Sequence, residues 1–539
     1  MYKTLWRFFP DDVEYGLRLA TVQVTAGKAK DALATVQSMR QLPAPSSEDP
    51  RIDIAEGDAF GVLSDFKQQH NAYAQAAKKA RAAGARLLLA RALLSEGSTT
   101  FTLGQTEDAI KMFKEAQALY TTAGDRSGIA ASLHSLGSVL SQGNNLTAGM
   151  QRMEESLAIS REIGDKRRMA NAMNTLGVRL KDQRRIEEAL RMYEGALAIR
   201  REIDDKPGAA GTLSNLGVAF HEQDRFVDAA KRYEESLQIS RELGDRRGIV
   251  RVLHNLAMVK KELGELKDAQ KAYQDSLALR IEIGDKRGQS VGLIELAHAE
   301  LRLGDLSSAK QNIETGLSIA RETKYRTAES TLVYMLGEIN LEEGDLAGAR
   351  KNHEAALAIR REMREDRTVV TSRLALANLT LEDGRPAEAE AAAHELQTSV
   401  SYETPATQAM IDLIETRALL AQKKIAAAAA ALKRATTRSA ATQRYYLRAM
   451  VEIVAARLET AQKQPQAAMQ HLTGLLPALE RIGDVQLLLE TRLAQCEAQV
   501  QLGPKAAART CSTALEKDAR ARGFGRVAQR ARTLLSSSM

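Results

Sequence analysis

The chain has 539 residues, 44% of them hydrophobic but only 4% aromatic, with 10 prolines, a balance that suits helix on helix and disfavours a strand-rich fold. The formal charge of +7 is uneven, since residues 401–539 hold 20 Lys and Arg against 11 Asp and Glu while the first 400 residues are close to neutral. No run of 18 apolar residues is available to cross a membrane, and Cys496 and Cys511 give no disulfide framework, so they are expected as idle or buried thiols in a reducing, cytoplasmic setting.

Met1 to Pro10 is too short and too aromatic for a secretory signal and offers no obvious capping helix. Residues 11–42 predict a helix pair turning at Gly27, and Pro43, Pro45 and Pro50 mark a joint that closes a first segment at 1–45. A regular array follows over 46–400, repeating every 40 residues from about residue 85. Gly-Asp stands at Gly124-Asp125, Gly164-Asp165, Gly244-Asp245 and Gly284-Asp285, with Asp204-Asp205 between, and Leu-Gly or Leu-Ala recurs from Leu136-Gly137 through Leu216-Gly217 to Leu376-Ala377. A period of this length is that of a solenoid, in which each unit buries its apolar face against its neighbours.

One unit, Lys206 to Leu243, has apolar residues at helical spacing twice, Leu213, Leu216 and Phe220, then Ala229, Tyr233 and Leu237, with a polar break at Gln223 to Arg225. Gly244 suits the left-handed closure of a helix and Asp245 the N-cap of the next. The turn within each unit asks for a residue tolerant of the left-handed region, supplied by Gly104, Asn144, Asp224, Gly264, Gly304, Gly344 and Gly384, with Arg184 the exception. Small residues at Ala109, Ala189, Ala229, Ala269, Ala309, Ala349 and Ala389 let the helices approach, and Phe113, Met153, Tyr193, Tyr233, Tyr273 and Ile313 are the knobs that fill the gap.

On Leu216-Gly217, Ala229, Tyr233 and Ser236, and their equivalents in most units, the chain resembles the tetratricopeptide repeat family. The 40-residue unit departs from that family's usual 34 and lacks its proline at the end of the second helix. The longer cadence is similar to the branch of LGN and the kinesin light chains, which recognises peptides in an inner groove. The resemblance implies an all-α, right-handed α-solenoid (superhelix) of antiparallel helix pairs, roughly 13 hairpins, acting as a non-enzymatic protein-protein interaction scaffold. Carried over by register, it places on the inner face Asn171, Asn174 and Lys181, then Ser214 and His221, then Arg251, His254 and Lys261, with His298 beyond. Asn can hold an extended backbone and Arg or Lys a carboxylate, so this groove implies an acidic peptide or protein partner. Asn215 and Asn255 read as structural.

After residue 400 the period slackens into degenerate repeats over 401–539, with hairpins expected from Pro405 to Ser439, Arg444 to Ile482 and Asp484 to Arg520. Arg520, Arg522, Arg526, Arg530 and Arg532 make a basic end, which leaves nucleic-acid binding open as an alternative, although no aromatics interleave to stack bases. The opening segment resembles part of long bacterial chains in which such repeats follow a kinase or a winged-helix domain. That leaves open a second alternative, the sensor or regulatory half of a signalling or transcription protein. No H-E-x-x-H, G-x-S-x-G or paired C-x-x-C occurs and the eight histidines have no ligand spacing, so no enzyme activity, cofactor or metal is expected. Glu162, Glu202, Glu242, Glu282, Glu322 and Glu362, beside Arg161, Arg201 and Arg241, read as a ladder of ion pairs between units.

Overall fold

Each unit becomes two helices because a left-handed residue ends one and an aspartate opens the next. Asp245 accepts from the Gly248 amide at 3.0 Å and caps the helix Arg246–Leu263. Asp125, Asp165, Asp205 and Asp285 each cap in the same way, three residues ahead of the amide they accept. In the inner turn Gly264 has φ 86°, and Arg184 and Asp224 take the same left-handed region at 63° and 55°. Asn144, expected in that column, lies outside the described residues, which in this computed structural model are 1–142, 145–399, 404–503 and 505–537.

Among the described residues there are 28 α-helices, a short 3-10 turn at Ser46–Glu48 and no strand. The first helix, Tyr2–Phe8, and the last, Gly525–Ser537, flank thirteen consecutive helix pairs, so the architecture is an all-α solenoid of antiparallel hairpins. A short helix thus stands at Tyr2–Phe8, and its Trp6 packs on the cluster of Leu17, Val36 and Ile52. After the prolines Asp49 caps a new helix at Pro50–Leu63, whose Ile52 and Ala55 pack in one cluster with Leu17, Val36 and Met39 from before them. Helices Pro405–Ala421, Ile425–Ala440, Tyr445–Ala461, Pro465–Ile482, Val485–Leu502 and Lys505–Ala521 form the three hairpins expected after the array, while the junction expected at 400 falls outside the described residues. Contacts divide the chain into two compact units, Met1–Asn215 and Leu216–Met539.

In both units the knob of the second helix sits on the small residue of the first. A Cβ added at Gly177 would lie 2.7 Å from the Tyr193 ring, and one at Gly217 2.5 Å from Tyr233. Both tyrosines are almost wholly buried, as are Ala189 and Ala229 one turn earlier. Burial of each such ring contributes on the order of 2 kcal/mol. His353 takes the knob position opposite Gly337, a role its polarity hid in the sequence.

The glutamate column does pair between units, but with a different partner from the neighbouring arginines. Lys166 meets Glu202, Arg246 meets Glu282 at 3.1 Å, and Arg326 meets Glu362 at 2.6 Å, each across 36 residues. These pairs are exposed and contribute roughly 0 to 1 kcal/mol each. A buried column went unread. Arg200, Arg280 and Arg360 end alternate second helices and are under 10% exposed, with Ser160, Ser240 and Ala320 between them. Arg360 donates to the Thr368 carbonyl at 3.0 Å and to Ser372 Oγ at 2.7 Å, and Arg200 bonds the Gly208 carbonyl and Thr212 in the same way.

The cysteines are not idle thiols. Cys496 and Cys511 form a disulfide with Cα atoms 5.6 Å apart, joining Val485–Leu502 to Lys505–Ala521. Cys496 stands where Ala456 stands one period earlier, in a buried small-residue column, which is why its pairing left no trace in the sequence. The inference of a reducing compartment from free thiols loses its premise. No helix among the described residues is long and apolar enough to cross a membrane.

Candidate functional site

In the first unit the inner face is built by first helices Arg86–Thr102, Arg126–Gln142 and Lys166–Asp182. Between them lies a cavity of about 270 Å³ whose polar lining is Ser95, Ser98, His134, Ser135, Arg168 and Asn171, with Ser156 behind. No carboxylate lines it. Arg168 is steadied through Nε by Ser127 Oγ at 3.2 Å and Asp165 at 2.9 Å, while its terminal amino groups make no hydrogen bond among the described residues. His134 Nδ1 is buried without a hydrogen-bond partner, and burial, then the Arg168 charge, hold its pKa below the usual histidine value. A neutral imidazole, a guanidinium and hydroxyls make a pocket suited to an anionic or strongly accepting group.

The residues expected on this face have different fates. Asn171 is exposed at the cavity, with Oδ1 accepting from Arg200 at 3.0 Å. Asn174 turns into the joint with the next hairpin and accepts from Thr212 Oγ1 and Asn215 Nδ2, both at 3.1 Å. Asn215 therefore acts through a side-chain bond to the preceding first helix. Lys181 has an ion pair with its neighbour Asp182 at 3.3 Å, and Ser214 is buried.

In the second unit the inner face is covered by the chain itself. First helices Tyr445–Ala461 and Val485–Leu502 and the last helix Gly525–Ser537 return against Arg246–Leu263, Lys286–Leu303 and Arg326–Glu343. A Cβ on Gly304 would lie 2.8 Å from Val485, and one on Gly344 3.2 Å from the Arg526 amide. Phe524, Leu489 and Leu493 share one core with Leu332, Met335 and Ile339. Ion pairs tie the ends of successive first helices to the returning ones: Glu262 to Arg444 at 3.1 Å, Arg302 to Asp484, and Glu342 to Arg526 at 3.1 Å.

His221 accordingly lies 5.4 Å from the Phe226 ring, tilted against it, and burial, then Arg444, lowers its pKa. His254 lies 6.0 Å from the Tyr273 ring with Nδ1 buried and unbonded, and burial holds its pKa low. Lys261 donates to Glu295 at 2.9 Å and approaches His298 Nδ1 at 3.4 Å. Burial opposes ionisation of Glu295, but Lys261 and then His298 outweigh it and bring the carboxyl to about 2, while the Lys261 charge and then burial push His298 to about 3. Glu295, which Tyr273 also meets at 3.2 Å, is the centre that register alone missed. Of the expected set in this unit, only Arg251 is exposed.

The basic end is spent on the chain's own carboxylates. Arg526 pairs with Glu342 and Glu490, Arg530 with Glu497 at 2.9 Å, Arg520 with Glu516 at 2.6 Å and Arg522 with Asp518 at 2.9 Å. Four of the five arginines read as a basic end thus have intramolecular partners. Among the described residues no cluster of three or more His, Cys, Asp or Glu is arranged to hold a metal.

A family model described as tetratricopeptide repeat matches residues 128–202, 168–242 and 248–322. No curated protein matches the chain. Among solved structures, a signal transduction ATPase with a tetratricopeptide repeat sensor from Pyrococcus horikoshii is 16% identical with a TM-score of 0.50, over 63% of this chain and 54% of that one. The apo form of RapI is 17% identical at TM-score 0.48, over 66% and 98% of the two chains. The apo quorum sensor NprR from B. thuringiensis is 14% identical at 0.46, over 65% and 98%. At such identities the likeness to solved structures is one of fold alone. With the helix pairs and the knob-on-small packing, the family match shows that residues 128–242 and 248–322 are built of repeats similar to tetratricopeptide repeats.

Proposed function

We propose that the chain is a non-enzymatic interaction scaffold whose first unit takes an extended peptide or protein segment along its inner face and grips a carboxylate of that segment at Arg168. What supports the reading is one contrast. The inner face of the second unit is occupied by the chain's own helices, whereas the cavity at Arg168 and Asn171 is polar, free of carboxylates, and has unbonded guanidinium donors. An acidic side chain or a chain terminus satisfies those donors with charge-assisted hydrogen bonds, and Asn171 and the serines bond the adjoining backbone.

The test is fluorescence polarisation of the full chain against an array of labelled acidic peptides. Arg168→Glu reverses the charge in the cavity, and Arg126→Glu, on the exposed ladder with Glu162, is the control. Peptides bound by the wild type should be kept by the control and lost by Arg168→Glu, because reversal acts on both affinity and encounter rate. Equal binding by both variants sinks the reading.

A further inference from the structure

The cavity at Arg168 in the first unit holds a titratable group to which peptide capture gives no role. His134, midway along Arg126–Gln142, lines it, and its Nδ1 is buried with no hydrogen bond among the described residues. The hydroxyls nearby are directed elsewhere. Ser98 donates to the Leu94 carbonyl at 2.9 Å and Ser156 to the Ala130 carbonyl at 2.7 Å.

The helices packed against His134 differ in what they bring. Arg86–Thr102 faces the cavity with Leu94, Ser95 and Ser98, and Leu146–Glu162 with Ser156. Thr106–Ala123 sets the Tyr120 ring against Gly128, its hydroxyl held un-ionised by burial. Lys166–Asp182 brings Asn171 and Arg168, the latter paired with Asp165 at 2.9 Å. Of these groups Arg168 is the charge that acts on His134, and burial, then this charge, keeps the imidazole neutral at pH 7.

Register shows what is missing. Three periods on stands His254, where the next first helix supplies Glu295, whose charge favours the protonated ring. The residue in that place beside His134 is Thr175. Among the described residues no carboxylate lines the cavity, so a counter-charge for His134 has to arrive with whatever enters. A carboxylate that meets the free Arg168 donors cancels the charge that disfavours the imidazolium and offers an acceptor to its N–H. Such coupling is reciprocal. A ligand that raises the affinity of His134 for a proton is itself bound more tightly, by the same factor, once the proton is there.

We propose, resting on the carboxylate reading of this cavity, that entry of a partner carboxylate is coupled to protonation of His134, so that the first unit holds its partner more tightly as pH falls. The proton comes from solvent, and the bond formed is one imidazole N–H. The bound form keeps this proton up to a higher pH than the free form does. Affinity therefore rises as pH falls through the window between the two pKa values and is level on either side.

Fluorescence polarisation of the full chain against the array of labelled acidic peptides, at about pH 5.5 and about pH 7.5, tests this coupling. Peptides lost by Arg168→Glu mark the cavity. The wild type should bind these about threefold or more tighter at the lower pH. His134→Gln keeps an amide donor but cannot be charged, so it should match the wild type within about twofold at the higher pH and show no gain at the lower. Isothermal titration of one such peptide, in two buffers of different ionisation enthalpy near about pH 6, should count a proton taken up by the wild type and none by the variant. Binding that is absent at both pH values, or untouched by Arg168→Glu, sinks the carboxylate reading and the coupling with it. Binding that Arg168→Glu abolishes but that is level with pH, or whose gain persists in His134→Gln, overturns the coupling alone. A wild-type proton count of zero does the same and needs no variant to fold.

Discussion

Arg302 and Asp484 form a buried ion pair whose polarity is the reverse of the pair beside it, Glu342 with Arg526. Successive first helices end in Glu262, Arg302, Glu342 and Glu382; the returning segments answer the first three with Arg444, Asp484 and Arg526, and the next first helix answers the last with Arg417. A slip of one hairpin would set Arg302 against Arg444 or Arg526. The inverted pair thus fixes register, the best-attested use of a buried ion pair.

Asp484→Ala should be costly, since it strands Arg302, removes the acceptor of the Tyr445 hydroxyl at 2.7 Å and uncaps the Leu487 amide. A loss of about 3 to 5 kcal/mol is expected by urea unfolding. Arg302→Met combined with Asp484→Asn, which keeps a cap, should cost markedly less than Asp484→Ala. Equal losses would mean that the charge is not what the site needs.

Ala229 is fully buried one turn from Tyr233, so Ala229→Leu forces that helix pair apart at a cost of about 1 to 3 kcal/mol. Because repeat stability is largely nearest-neighbour, hydrogen exchange should rise in the hairpin holding residues 206–243 and those beside it. A uniform rise along the chain would contradict the solenoid.

Glu338 lies 3.3 Å from His353 and is pushed up to about 7, by burial and then by Glu342. Its folded pKa stands above the unfolded one, so the folded state holds a proton that the unfolded chain has released between about pH 4.5 and 7. Stability from this group is therefore present at low pH and lost as pH rises through 7. Burial and then Arg360 lower His353 to about 4, and that residue acts oppositely, adding stability as pH climbs from about 4 to 6.5. Glu338→Gln should flatten the decline between pH 6 and 8 and gain about 1 to 2 kcal/mol at pH 8. An unchanged pH profile would dismiss the assignment.

The disulfide closes a loop between residues 15 apart. Reduction should destabilise the hairpin of Val485–Leu502 and Lys505–Ala521 by about 3 kcal/mol on the chain-entropy account. Cys511→Ser should behave like the reduced protein in thermal unfolding and no longer respond to reductant. A reductant effect that persists in Cys511→Ser would rule out this bond as its source.

The helix pairs were legible because their causes are local. Asp245 caps and Gly264 turns using atoms a few residues away, and the knobs mark the small positions they meet. The inner face was legible only where nothing returns to cover it. Asn171 stands at a cavity between first helices, whereas Lys261 and His298 meet Glu295 on helices against which others more than 140 residues further on return, a relation between distant segments that no 40-residue window contains. The single inversion of charge at Arg302 in the column Glu262, Arg302, Glu342 and Glu382 was the available signal, one period apart at each step.

The buried arginines divide the joints between hairpins into two kinds that alternate along the array. Twelve residues past Arg200, Arg280 and Arg360 stand Thr212, Gly292 and Ser372, which leave room or a hydroxyl for a guanidinium. Twelve past Ser160, Ser240 and Ala320 stand Ala172, Val252 and Leu332, which do not. Excising 40 residues with the cut between Arg280 and Gly292 would bring Leu332 to the place of Gly292, a bulky apolar side chain against a buried guanidinium. Excising 80 would join like to like, so the modular grain of this protein is a double hairpin, twice the beat its sequence displays.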